Sequence, residues 1–213
     1  MPLPVLLDAL AVFVFALTGA LAASRAQLDV IGFVFLAGLT AVGGGTLRDL
    51  ILDRTVFWVA TPVHLSIVAA AAVLVFGLAP FLESRARWLD WLDAAALSVA
   101  VPAGFTATLA FGHGAAVVLV LSVMTGTFGG ILRDVVANEV PMILRKGELY
   151  ASAAFAGAGA GLIAFELGLA PPVPTLVVAG VTFALRAGSL IFGWHLPVYR
   201  HGPPQTRPKR FDD

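Results

Sequence analysis

The sequence predicts an all-α integral membrane protein with seven transmembrane helices, arranged as two inverted three-helix repeats followed by a seventh helix. Three observations predict this fold class: an apolar composition, the lengths of the apolar segments, and an internal repeat with an offset of 85 positions. The second and fifth helices each contain consecutive glycines, and we expect both helices to be kinked there.

The composition indicates a protein whose solvent is lipid. Of the 213 residues, 59% are hydrophobic and 12% are charged, and the mean hydropathy is +0.94; soluble domains carry about 25% charged residues. The formal net charge is zero, which argues against a basic surface for nucleic acid, so no such partner is expected. The chain has no cysteine, and disulfides, thiolate metal sites and cysteine nucleophiles are therefore excluded.

Seven apolar segments are long enough to cross a bilayer, for which a helix needs about 20 residues. They form one membrane domain over residues 1–197, and the polar, proline-rich residues 198–213 are expected to be a poorly ordered tail. The predicted spans are approximately Leu3–Ala23, Val30–Leu52, His64–Leu82, Trp88–Phe111, Ala115–Val136, Leu149–Leu169 and Pro174–Leu196.

The two halves of the chain align without a gap at the offset of 85 positions. "GGTLRDL" at Gly44–Leu50 meets "GGILRDV" at Gly129–Val135, and Asp8 meets Asp93. Chance is a poor explanation, because one offset relates several charged residues in a chain that contains few. Because each repeat holds three spans, the second repeat enters the membrane from the opposite side, as in secondary transporters and related pores. Repeat one covers about 4–83, repeat two about 88–169, and the seventh helix about 174–196.

The distribution of Lys and Arg predicts the orientation. The side of the C-terminus collects Arg25, Arg85, Arg87, Arg145, Lys146, Arg200, Arg207, Lys209 and Arg210, whereas the other side has Arg54 and little else. We therefore expect a cytoplasmic C-terminus and an N-terminus outside.

The consecutive glycines are the first candidate functional feature: Gly43, Gly44 and Gly45 in the second span, and Gly129 and Gly130 in the fifth. Such a pair makes a kink or a local break inexpensive, and backbone freed at membrane depth must be buried or line a wet cavity. We expect the freed carbonyls to be able to coordinate a monovalent cation.

Five hydroxyl side chains near the same turns could add oxygen ligands: Thr40, Thr46, Ser122, Thr125 and Thr127. The competing interpretation is that the glycines only allow helices to pack closely. A Gly-Gly pair followed by Arg-Asp in both halves favours the functional kink.

Charged residues within the apolar segments are the second candidate feature. Arg48–Asp49 and Arg133–Asp134 recur at the same place in both repeats, and Asp8 and Asp93 are the symmetric acids with which the arginines could pair. Two roles stay open for these six residues, one as the lining of a pathway and one as structural latches of the kinked helices.

Arg186 lies near the middle of the seventh predicted span, where a charged side chain costs about 2.5–3.5 kcal/mol even on a lenient insertion scale. It belongs to neither repeat, so symmetry does not require it. An electrostatic gate or an anion contact is favoured over a purely structural ion pair.

With two three-helix repeats, a seventh helix, and the doubled motif "GGGTLRDL" and "GGILRDV", the chain resembles the prokaryotic members of the trimeric intracellular cation channel (TRIC) family. The resemblance covers Pro4 to His195. It implies a homotrimer in the bacterial inner membrane, in contact with lipid, with a pathway for potassium or sodium ions inside each subunit and no cofactor. The kinked helices of the family map onto Gly43–Gly45 and Gly129–Gly130.

Two classes of function fit the sequence, and a third does not. A passive cation channel is favoured, and a carrier of a small metabolite such as glycine is the alternative, because inverted repeats and helix N-termini suit a carboxylate equally well. An enzyme is not expected, because the sequence has no H-E-x-x-H, no G-x-S-x-G and no cysteine.

Overall fold

The computed structural model describes residues 3–81, 85–145 and 147–197, so the predicted tail at 198–213 lies outside the described residues. The described chain is helical, apart from one antiparallel bridge between Glu148 and His195. Its α-helices are α1 (Leu3–Arg25), α2 (Val30–Ile51), α3 (Phe57–Ala60), α4 (Val63–Leu78), α5 (Arg85–Ala110), α6 (Ala115–Val136), α7 (Ala151–Glu166) and α8 (Val173–Phe192). Two 3-10 turns cover Ala79–Phe81 and Met142–Leu144.

Within the described residues, six helices are long and apolar enough to cross a membrane: α1, α2, α4 with its 3-10 extension, α5, α6 and α8. The prediction of an all-α membrane protein is therefore confirmed. The helix α7 is also apolar but has only 16 residues. At 1.5 Å per residue it is about 24 Å long, which is shorter than the hydrocarbon core of about 30 Å, so a count of seven spans stays a prediction.

The helix α2 and the helix α6 cross at the centre of the molecule, with their backbones in direct contact. A Cβ atom at Gly44 would overlap the carbonyl oxygen of Thr125, and a Cβ at Gly129 would overlap that of Thr40. Both contacts need a glycine, and the offset of 85 positions relates them.

Both crossing helices are continuous through their glycines, α2 from Val30 to Ile51 and α6 from Ala115 to Val136. The local break that the consecutive glycines predict is therefore absent. Close packing, the competing interpretation, accounts for Gly44 and Gly129. A kink within a continuous helix stays a prediction.

The flanking helices approach the crossing through two more glycines. A Cβ at Gly19 of α1 would lie 2.6 Å from Thr40 Oγ1, and a Cβ at Gly104 of α5 would lie 2.7 Å from Thr125 Oγ1. The four helices α1, α2, α5 and α6 thus converge on the two threonines. The pair α7 and α8 packs in the same way, because a Cβ at Gly157 would overlap the Thr182 hydroxyl.

We expect Gly44→Ala to destabilise the protein, because its methyl group would overlap the backbone of α6 at Thr125. Forcing extra atoms into a packed core costs about 1–3 kcal/mol, so thermal unfolding in detergent should begin at a lower temperature. Gly159→Ala is the matched control, since nothing lies within 4 Å of its Cβ position. Equal unfolding temperatures for the two variants would contradict the crossing.

Candidate functional site

The first clamp consists of Asp8, Arg48 and Asp49 and joins three helices. Arg48 Nε donates to Asp49 Oδ1 at 2.7 Å, and Arg48 Nη1 donates to Asp8 Oδ1 at 3.0 Å. The second oxygen of Asp49, Oδ2, accepts the backbone N–H of Phe57 at 2.8 Å. The clamp therefore ties α1 to the end of α2 and fixes the start of α3.

The second clamp consists of Asp93, Arg133 and Asp134 and repeats this geometry 85 positions later. Arg133 Nε donates to Asp134 Oδ1 and Arg133 Nη1 to Asp93 Oδ1, both at 2.8 Å. Asp134 Oδ2 accepts the backbone N–H of Met142 at 2.8 Å. Each arginine thus contacts its neighbouring aspartate as well as the distant one, so the six charged candidates form two closed units.

The two clamps differ in charge balance. In the first, Arg54 Nε adds a further contact to Asp49 Oδ1 at 3.1 Å, and the Asp8 side chain is 13% exposed. In the second, the position equivalent to Arg54 is Glu139, which pairs instead with Arg25. The second clamp therefore sets two carboxylates against one guanidinium. Within the described residues, the fully buried Asp93 Oδ2 has no hydrogen-bond partner.

A cavity of about 20 Å³ extends from the first clamp towards the helix crossing, between α1, α2, α5 and α6. A volume of this size holds about one water molecule. Its wall includes Asp8, Phe15, Thr40, Gly44, Phe57 and Thr125. This central cavity thus joins a carboxylate to the two threonines of the crossing inside a single subunit.

A wider cleft of about 450 Å³ lies next to the central cavity and shares Asp8 and Phe57 with it. The Phe57 ring packs edge-on to His64 at 5.0 Å and lies 5.7 Å from the Arg48 guanidinium. Because this ring forms part of both walls, it marks the boundary between the cleft and the central cavity.

On the far side of the crossing, side chains fill the equivalent space. A Cβ at Gly126, the counterpart of Ala41, would lie 2.6 Å from Val101 Cγ2 and 3.0 Å from Leu97 Cδ1. A Cβ at Gly130 would lie 2.8 Å from the hydroxyl of the buried Tyr150. The half that contains the second clamp is therefore densely packed.

The predicted hydroxyls all form the same type of hydrogen bond. Each donates to the backbone carbonyl oxygen four residues earlier, at 2.5–2.9 Å: Thr40, Thr46, Ser122, Thr125 and Thr127. Such back-bonding often bends helices, and it leaves the oxygen lone pairs free to accept. The structure places Thr40 and Thr125 on the central cavity, whereas Thr46 accepts the indole N–H of Trp58 at 2.9 Å.

Arg186 lies away from the crossing, about one turn beyond the midpoint of α8. Its Nη1 donates to Glu148 Oε2 at 3.0 Å, and its guanidinium carbon lies 5.4 Å from the centre of the Tyr150 ring. Arg186 therefore ties α8 to the segment before α7, which the chain after α8 also contacts through Leu196 N–H and Gly147 O at 2.9 Å.

Several residues of this site are absent from the sequence-based candidates. Phe57 and Met142 occupy equivalent places in the gapless alignment, so extending the repeat into the connections would have found them. Tyr150 and Glu148 had no such signal, because their counterparts are Leu65 and Val63.

We expect Arg133→Gln to destabilise the protein more than Arg48→Gln. Removing Arg133 leaves two buried carboxylates without a cation, and breaking a buried pair costs about 3–5 kcal/mol, whereas the first clamp keeps Arg54. Thermal unfolding in detergent measures the order.

Arg25→Gln is the control for this series. Its side chain is 32% exposed and pairs with Glu139 at 3.2 Å, and exposed pairs are worth about 0–1 kcal/mol. If Arg133→Gln unfolded at the same temperature as Arg25→Gln, the second clamp would have no structural role.

Comparison with known proteins gives matches over most of the chain. A family model described as "Glycine transporter" matches twice, at residues 5–80 and 90–166. The UPF0126 inner membrane protein YadS of Escherichia coli K12 is 36% identical over 192 residues, which are 89% of this chain and 92% of that protein.

Solved structures are also similar to this chain over most of its length. The TRIC channel orthologue from Rhodobacter sphaeroides is similar with a TM-score of 0.87 and 41% identity, over 91% of this chain and all of that one. A prokaryotic TRIC channel in 0.5 M KCl is similar with a TM-score of 0.83 and 26% identity, over 88% of this chain and 95% of that one.

Proposed function

Because the chain belongs to the trimeric intracellular cation channel (TRIC) family, we propose that it is a potassium-permeable cation channel with an ion pathway inside each subunit. The observation that carries this proposal is the central cavity, which runs from the Asp8 carboxylate to Thr40 and Thr125 within one subunit. An ion crossing a membrane needs such a polar route, because lipid offers it no ligands.

The proposed pathway enters through the cleft, passes the Phe57 ring, and follows the central cavity to the crossing of α2 and α6. At the crossing, the hydroxyl oxygens of Thr40 and Thr125 replace part of the hydration shell of the ion, as pore-lining oxygens do in other channels. Their protons are already donated to backbone carbonyls, so their lone pairs are free to face a cation.

The second clamp supplies the charge preference. Two carboxylates against one guanidinium leave a formal negative charge at membrane depth, and Asp93 Oδ2 has no partner within the described residues. Acidic groups along a pore favour cations over anions. The proposed route continues past this clamp, so it requires the packed side chains of Leu97, Val101 and Tyr150 to move.

Bending of α2 and α6 is the proposed means of opening. Gly43–Gly45 and Gly129–Gly130 lower the cost of a kink, and the back-bonded threonines favour curvature in the same turns. The monovalent cation predicted at kink carbonyls belongs to this open state, since both helices are continuous in the structure.

The architecture proposed around this pathway is a homotrimer of subunits, each with two inverted repeats and a seventh span. The twofold match of one family model and the recurrence of both clamps at one offset support the repeats. The excess of Lys and Arg on the side of the C-terminus supports a cytoplasmic C-terminus and an N-terminus outside. In this orientation the cleft, which includes Asp8 near the start of α1, opens to the outer side. For α7 to be a span, neighbouring helices or a locally thinner bilayer must compensate its length.

Recordings from purified protein in planar bilayers with a potassium chloride gradient test the channel. We expect discrete unitary currents that reverse near the potassium equilibrium potential. Currents that reverse near the chloride potential would contradict cation selectivity, and silent bilayers from well-folded protein would contradict the channel itself.

We expect Thr125→Val to lower the unitary conductance, because valine keeps the shape of threonine but removes the hydroxyl group of a residue that lines the central cavity. Thr106→Val is the matched control, since Thr106 also donates to the carbonyl four residues earlier, at 2.7 Å, but lies near Thr175 of α8. Equal conductances would remove Thr125 from the pathway.

A carrier of glycine is the second candidate function, which the description of the matching family model favours. Uptake of labelled glycine into proteoliposomes tests it. Saturable uptake with silent bilayers would show a carrier and contradict the channel, whereas conductance without uptake would support the channel and contradict the carrier.

A further inference from the structure

We propose that the cleft beside the first clamp binds a small zwitterionic amino acid, with the ligand carboxylate on Arg54 and the ligand ammonium group on Asp8. The proposal deepens the second candidate function, on which its consequence for transport rests, by assigning the site and the class of ligand. Binding itself can be measured without transport.

The cleft has the size and wall of a small-molecule site. Its volume is about 450 Å³, within the range of about 300–1,000 Å³ for ligand pockets. Two aromatic rings, Phe57 and Phe111, combine with a few polar side chains in its wall. Sites for small molecules typically have an apolar surface with a small number of polar groups that fix the orientation of the ligand.

The wall of the cleft carries two side chains of opposite charge, Arg54 and Asp8. Arg54 contacts Asp49 through Nε at 3.1 Å and lies over the Phe111 ring at 5.9 Å, and its side chain is 27% exposed. Asp8 accepts from Arg48 at 3.0 and 3.5 Å and keeps part of its surface open. An arginine fork suits a carboxylate, and a carboxylate suits an ammonium group.

The charge balance of the cleft favours a zwitterion over a simple ion. The charged side chains in its wall are Asp8 from α1 and Arg54 from the loop after α2, and their formal charges cancel. The charges of Arg48 and Asp49, which are buried behind them, cancel as well. A bare anion or cation gains little from a neutral surface, whereas a ligand with its own two poles matches both ends at once.

Isothermal titration of the full chain in detergent with glycine, acetate and methylamine tests the site. We expect saturable binding of glycine and at least about tenfold weaker binding of acetate and of methylamine, because each of these satisfies one pole only. Equal affinities for glycine and acetate, or no binding of glycine, would overturn the proposal.

Arg54→Gln should weaken glycine binding about tenfold or more, because it removes the cationic fork. The matched control is Arg25→Gln, whose side chain is similarly exposed at 32% and is paired with Glu139 near the opposite end of α1; we expect it to bind as the unmodified chain does. If Arg54→Gln fails to fold, Arg54→Lys keeps the charge without the planar fork and should show an intermediate loss. Unchanged binding in the folded variant would overturn the site.

Uptake measurements on the same proteins separate the site from the carrier. Glycine binding that depends on Arg54, without uptake, would contradict the carrier function and support the proposed binding site. Saturable uptake that is the same in Arg54→Gln and in the unmodified chain would support the carrier function and overturn the proposed binding site.

Discussion

The backbone contact between α2 and α6 is the constraint on which the rest of the structure depends. Two helices approach this closely only where one of them has no side chain, and Gly44 and Gly129 meet that condition at symmetric places. The crossing brings Thr40 and Thr125 together, and Gly19 and Gly104 then admit α1 and α5 against the same threonines. The central cavity is the space that remains among these four helices on one side.

The clamps hold the ends of the crossing helices and shape the connections that follow. A buried ion pair stabilises a fold only when its remaining hydrogen-bonding capacity is used. Asp49 and Asp134 meet this requirement by accepting the backbone N–H groups of Phe57 and Met142. The same hydrogen bond therefore places the Phe57 ring beside the first clamp and the Met142 thioether beside the second. The two halves of the chain thus differ in side-chain packing although their backbones and clamps correspond.

The sequence was sufficient for the membrane class and for the approximate limits of the helices, because lipid imposes length and apolarity on every span. It was also sufficient to single out the glycines and the charged residues that recur in both halves, because a single offset relates them. Of the kink or local break expected at Gly43–Gly45, the break is absent, since α2 is continuous there, and the kink stays a prediction. The partner of Arg186 could not be predicted, because Glu148 lies in an irregular segment and its counterpart in the first half, Val63, carries no charge.

The unequal filling of the two halves also determines where an applied voltage acts. In the proposed pathway, solution in the open cleft shares the potential of the adjoining compartment, so most of the potential difference falls across the packed half, which contains Asp93 and Arg133. Moving one elementary charge through the whole field is worth about 2.3 kcal/mol per 100 mV. The second clamp therefore lies where the field is steepest, whereas the first clamp lies near its edge.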